Sequence, residues 1–260
     1  MASKQVMLTL ALAATLLLAL PMAGCQYNPR GAEPLVSPYS QARVWAIVPL
    51  RNESGSLHAD GVVLADHLQR QLENAANVDV IPVNRVLRAM EVLDMPVVAS
   101  ASDAYRLMET LGVDGLIVGT VTAYDPYDPP KLGISIELFD GGRSHSLDAL
   151  DVRKLSRAAV DEQSHPYAAG DKPHRKHEGV ASGVSSYFNA SDSNVRKMLQ
   201  VYAGNRDGAQ AYPDGWHRYR ISMDLYSEFV TYVMSWRLLR AEAARLSQVI
   251  TTESSQALSR

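Results

Sequence analysis

A single cysteine, Cys25, serves this chain of 260 residues. One thiol cannot close an intramolecular disulfide, and it cannot supply the several thiolates of a closed structural metal site. The fold must therefore rest on buried apolar surface, and the chain is long enough to bury such a core in one domain of ordinary size. Past the amino-terminal segment, no apolar run is long enough to cross a bilayer as a helix.

Cys25 also sits at a telling place. Lys4 precedes an uncharged, largely apolar run over residues 6–20, and Met22, Ala23 and Gly24 lead directly into the cysteine. A charged start, a short apolar segment and a small-residue end make a secretory signal. The stretch 16–25, LLLALPMAGC, resembles the lipobox of bacterial lipoproteins. That resemblance implies cleavage after Gly24, acylation of Cys25 and a membrane-attached amino terminus. More than one acyl chain is needed for a stable hold, since one alone binds marginally. Gln26 stands where an aspartate would favour inner-membrane retention, so the resemblance implies the outer membrane, facing the periplasm.

Residues 1–24 contain Lys4 and no acid, so the remaining chain carries 24 basic and 28 acidic side chains, a net of −4. That balance argues against broad binding to nucleic acid. Pro29, Pro34 and Pro38 punctuate a polar stretch up to residue 42, read as a flexible tether of about 20–25 Å.

From residue 43 the pattern is α/β. Residues 44–48 form a buried strand ending at Pro49, followed by a polar turn. Ser54 or Ser56 is expected to cap a helix carrying Leu57, Gly61, Leu64, Leu68 and Leu72 at three- and four-residue steps. A second strand over 78–81 follows. Then come two helices, one capped by Asn84 and one by Ser102 or Asp103, the latter stopped by Gly112. Residues 115–124 and 132–138 form a hairpin, with Leu132, Ile134, Ile136 and Leu138 on one face. Residues 140–178 are read as a long loop, 179–190 as a strand, and 194–202 as a helix capped by Ser191. A long amphipathic helix over 217–249 closes the chain, its stripe running through Leu225, Phe229, Val233, Trp236, Leu239, Ala243 and Leu246. Arg237, Arg240, Glu242 and Arg245 are assigned to the solvent side. The expected fold is α/β, a small mixed sheet with helices packed on it, plus a long C-terminal amphipathic helix. The division is signal 1–24, lipidated cysteine and tether 25–42, α/β domain 43–204, loop and helix 205–250, and a disordered tail 251–260.

Residues 44–55 (VWAIVPLRNESG), 113–124 (VDGLIVGTVTAY) and 132–140 look like the curli-secretion-channel (CsgG-like) lipoproteins and the related amino-terminal domain of the Tol-system translocation protein. The shared features are a strand ending in proline, a turn with Asn and Gly, and a later strand with an internal glycine, here Gly119. The resemblance implies a periplasmic, non-enzymatic module that assembles with itself or with envelope machinery. Residues 140–178 lack the alternation that builds a membrane barrel.

No GxSxG elbow, lysine-bearing phosphate loop or HExxH is present, so no catalytic residue and no cofactor are expected. Asp171, His174 and His177 offer metal-ligating types at short spacing, but Pro173 and the surrounding charges read as a solvated loop, so no metal site is expected. Tyr124, Asp125, Tyr127 and Asp128, in a proline-fixed turn, are the candidate partner-binding residues, since tyrosines give contact area at low entropy cost. The expected function is a lipid-anchored periplasmic binding or assembly module. Its partners would be the membrane through Cys25 and envelope proteins or further copies of itself. A secretion-channel subunit and an envelope hydrolase or metal-binding protein are the alternatives.

Overall fold

The computed structural model describes residues 34–141, 167, 179–207 and 215–258. Five strands lie side by side in the order β3 (Val78–Val80), β1 (Arg43–Ile47), β4 (Gly115–Asp125), β5 (Lys131–Asp140), β6 (Val180–Asn189). A two-residue strand, β2 (Arg51–Asn52), continues the line of β1 along β4. The pairs β1·β3, β1·β4 and β2·β4 are parallel, and β4·β5 and β5·β6 are antiparallel. The sheet is therefore mixed, as the alternation of patterns predicts.

Its two faces are covered differently because its two helical crossovers run in opposite directions across the sheet. Helix α1 (Gly61–Leu72) carries the chain towards β3, while α2 (Val83–Val92) and α3 (Ala101–Leu111) carry it back past β1 to β4. Parallel crossovers share one hand, so opposite directions place them on opposite faces. One core lies under α2 and α3 and contains Ala46, Val48, Met90, Leu107, Leu116 and Phe139. The other lies under α1, α4 (Ser193–Asp207) and α6 (Met223–Leu258), and holds Trp45, Ile47, Ile117, Phe188, Tyr202 and Phe229. Leu132, Ile134, Ile136 and Leu138 all point into this second core, so the period-two reading of β5 matches the fold.

Several local expectations are corrected. Asp60, not Ser54 or Ser56, caps α1 by accepting from the amides of Val62 and Val63, and Leu57 lies outside the helix, fully exposed. Ser100, not Ser102 or Asp103, caps α3, and Gly112 ends it with a left-handed φ of 67°. Helix α2 starts directly after Pro82, so Asn84 is inside it. Asp192 rather than Ser191 caps α4, accepting from the amides of Asn194 and Val195. The terminal helix is broken at Ser222 into α5 (His217–Ile221) and α6, and α6 runs on to Leu258, beyond the expected start of a tail at 251.

The folded domain begins before residue 43, where the sequence placed its start. Leu35, Ser37 and Tyr39 are buried, and the Tyr39 carbonyl accepts from the Asn77 side chain. Residues 34–42 thus belong to the domain. Nor is α6 a separate unit. From Tyr226 to Leu239 it is buried almost all round, as befits a helix closed in on several sides.

The assignment of Arg237 and Glu242 to solvent is also overturned, because each is buried with a full set of partners. Arg237 donates to the Tyr167 carbonyl at 2.9 and 3.0 Å and to Ser186 Oγ. Glu242 accepts from Tyr39 Oη at 2.8 Å, Ser182 Oγ at 2.7 Å and the Arg245 guanidinium. Arg245 reaches on to Asp140 at 3.0 Å. Buried charge survives where it is paired and hydrogen-bonded.

Candidate protein-docking site

The carboxyl ends of β1 and β4 gather the features able to meet a partner. The β4–β5 hairpin tip is built from charge pairs. Lys131 Nζ donates to Asp125 Oδ2 at 2.8 Å, while Asp125 Oδ1 accepts from the Tyr127 amide at 3.3 Å. Those hydrogen bonds, from Lys131 first, hold the Asp125 carboxyl below its usual range, and the same pair raises Lys131. Asp128 takes a two-pronged bond from Arg220 of α5, at 2.6 and 3.2 Å. Tyr124 packs half-buried against the core. Of the four sequence-predicted residues, three are thus used within the chain and one is displayed. Tyr127 is 73 % exposed. Arg220 was invisible to sequence reasoning, since nothing local links residue 220 to residue 128.

Beside the tip lies the turn between β2 and α1, which side chains brace from within. Asn52 Nδ2 donates to the carbonyls of Ser56 and Ala59, at 2.8 and 3.2 Å, and Asn52 Oδ1 accepts from both the amide and the hydroxyl of Ser54. Ser54 Oγ accepts in turn from the Ser56 amide. Gly55 supplies a φ of 75° that a side chain would strain. The product is a fixed loop that turns Leu57 entirely into solvent, at 100 % exposure.

A third feature is a groove of about 410 Å³ beside the end of β1, lined by Val48, Pro49, Val97, Val98, Val118 and Phe139 together with the polar Arg51, Ser100, Thr120 and Glu137. Arg51 is ion-paired with Glu53.

His67 joins α1 to the start of α6 behind this end. Its Nε2 lies 3.0 Å from Asp224 Oδ1, and its Nδ1 lies 2.6 Å from the Arg70 guanidinium. A carboxylate needs a donor and a guanidinium an acceptor, so the ring is neutral with its proton on Nε2. Burial, then the charge of Arg70, lowers its pKa below 6.5, with Asp224 and Glu228 opposing in part. The unfolded chain then binds a proton at higher pH than the folded one. Stability is accordingly full above about pH 6.5 and falls as pH drops through the lower folded-state value. Thermal melts between pH 7.5 and 5 should show this fall, and His67→Gln should flatten it. An unchanged slope in that variant would assign the titration elsewhere.

Cys25, Asp171, His174 and His177 lie outside the described residues. Among the described residues, no group of three or more His, Cys, Asp or Glu is placed to hold a metal ion, and no helix is long and apolar enough to cross a membrane.

No family model matches the chain, and no curated protein matches it. Among solved structures, it is similar to the C-terminal domain of LpoB from Salmonella enterica at 11 % identity and a TM-score of 0.33, covering 43 % of this chain and 78 % of that one. Lipoprotein GNA1162 from Neisseria meningitidis is similar at 20 % identity and a TM-score of 0.33, covering 46 % and 96 % respectively. The hypothetical protein CT253 from Chlamydia trachomatis overlaps more of this chain, 79 % against 95 % of its own, at 14 % identity and a TM-score of 0.34.

Proposed function

We propose that this protein is a lipid-anchored, non-enzymatic module of the cell envelope that works through protein contacts, held at the outer membrane and facing the periplasm. The observation that carries the reading is Cys25 at the end of LLLALPMAGC, the position at which a lipobox is acylated. The resemblance to the CsgG-like group belongs to the same reading, for fold and setting. Two structural features support protein contact: Tyr127 is held out on a charge-paired turn, and Leu57 on a braced loop. Large exposed side chains on ordered turns lose little freedom when they bind.

The test is metabolic labelling with an alkyne-tagged palmitate, followed by membrane sedimentation. Wild type should be labelled and sediment with membranes. Cys25→Ala should lose both label and sedimentation while its melting temperature moves by no more than about 2 °C. A labelled or still-sedimenting Cys25→Ala protein would end the anchored reading. For the contact half, a photoreactive residue at position 127 should link envelope proteins that one at the exposed position 92 does not, and equal yields would count against it.

A further inference from the structure

We propose that the outer edge of β6 receives an extended segment of a partner protein as an added strand. The proposal rests on the protein-contact reading above and supplies a mode of contact for it. Among the described strands, β6 lies at the end of the sheet and pairs with β5 alone. Hydrogen bonding in an antiparallel pair alternates, so only every second residue of β6 turns its main chain towards β5. Two bonds fix which residues these are. The Ala190 amide donates to the Pro130 carbonyl at 3.0 Å, and the Gly141 amide to the Asp114 carbonyl at 2.9 Å. Counting in twos from each bond, through the registers of β4·β5 and β5·β6, places Ser182, Val184, Ser186 and Phe188 in the ladder to β5. Gly183, Ser185 and Tyr187 therefore turn their N–H and C=O groups outwards. Among the described residues, nothing donates to these groups or accepts from them.

The chemistry of this edge selects its occupant. The outward N–H and C=O groups recur every second residue, about 6.8 Å apart, and the backbone of another strand carries the same repeat. Exposed edges are normally blunted by charge, proline or shortness. Residues 183–188, GVSSYF, hold no charged side chain and no proline. The opposite edge is guarded, since β3 has only three residues, an exposed Asp79 at its middle and Pro82 soon after. One edge is thus closed to pairing and the other left open. Gly183 and Ser185 are small enough to admit larger side chains beside them. Tyr187 is 50 % exposed and offers a cross-strand contact to an aromatic or β-branched residue. An edge without charge suits a segment that is itself uncharged, because a charge buried there would go unpaired.

The probe is a phage library of random dodecapeptides, panned against the full chain in detergent. Enriched peptides should be uncharged and rich in β-branched and aromatic residues. When such a peptide binds, amide hydrogen exchange at Gly183, Ser185 and Tyr187 should slow, whereas Val184, Ser186 and Phe188 are protected beforehand. Methylating alternate peptide nitrogens should weaken binding about tenfold or more in one phase of the alternation and little in the other. Ser185→Pro removes one outward N–H without touching the ladder to β5, a change that an edge strand tolerates. It should weaken binding to a similar degree while melting close to wild type, and the methylated peptides make the same test without altering the chain. No enriched peptide, equal losses in the two phases, or no slowing at the outward amides overturns the proposal. Outward amides protected in the free chain, with protection that fades on dilution, would also overturn it by making a second copy the occupant. Palmitate labelling does not involve this edge, so failure here is separable from failure of the anchored reading.

Discussion

Glu242→Ala should unfold far more easily than wild type, melting roughly 6–12 °C lower if about 3 kcal/mol is lost in a chain of this size. Glu242 is fully buried, and its carboxylate is the meeting point of Tyr39, Ser182 and Arg245. Alanine removes the bonds to all three residues at once and leaves the Arg245 charge half-buried. Removing one partner of a buried pair typically costs about 3–5 kcal/mol. Arg245 keeps Asp140 and some access to water, which points to the lower end. Tyr39→Phe deletes a single hydrogen bond and should cost about 1 kcal/mol. The double variant should fall short of the sum, since both changes break the same bond. A Glu242→Ala protein that melts with wild type would mean that the carboxylate does not tie these elements together.

Gly61→Ala sets two effects of opposite sign against each other. Alanine is the better helix former, worth up to about 1 kcal/mol in a helix interior and less at the first helical residue. Yet a Cβ at Gly61 would overlap the Leu50 carbonyl oxygen and sit 3.1 Å from the Leu50 nitrogen. That nitrogen donates to the Gly61 carbonyl at 3.0 Å, so the backbones of the strand end and the helix start are already in direct contact. Backbone cannot rotate aside as a side chain can, and overpacking costs about 1–3 kcal/mol. The clash should win, giving a net loss of about 2 kcal/mol in chemical unfolding. A stabilised Gly61→Ala protein would refute the close approach.

The strands of this fold were legible because their signals are local. β5 alternates over Leu132, Ile134, Ile136 and Leu138, and one sheet face simply collects the even positions. What escaped is what depends on distant residues. Arg237 and Glu242 read as solvent-facing charges on an amphipathic helix, yet their partners Ser186 and Tyr39 lie 51 and 203 positions away. Leu57 continued the helical period of α1, but Asp60 made the stronger cap and the side chains of Asn52 and Ser54 claimed the residues before it. At the hairpin tip, sequence singled out four residues without saying which would remain free. Asp128 is taken by Arg220 and Asp125 by Lys131, which leaves Tyr127 outward.

The bond between Tyr39 and Glu242 bears on when this protein can fold. It joins the first buried stretch of the domain to its last helix, and α1 and β5 share a core with that same helix. Until the carboxyl-terminal residues are available, that face of the sheet has only α1 and α4 to pack against. Contacts so far apart in sequence form slowly. On the lipoprotein reading proposed above, a chain exported as an unfolded thread would gain from that delay. On that reading α6 would lock the domain only after the strands and helices before it had crossed.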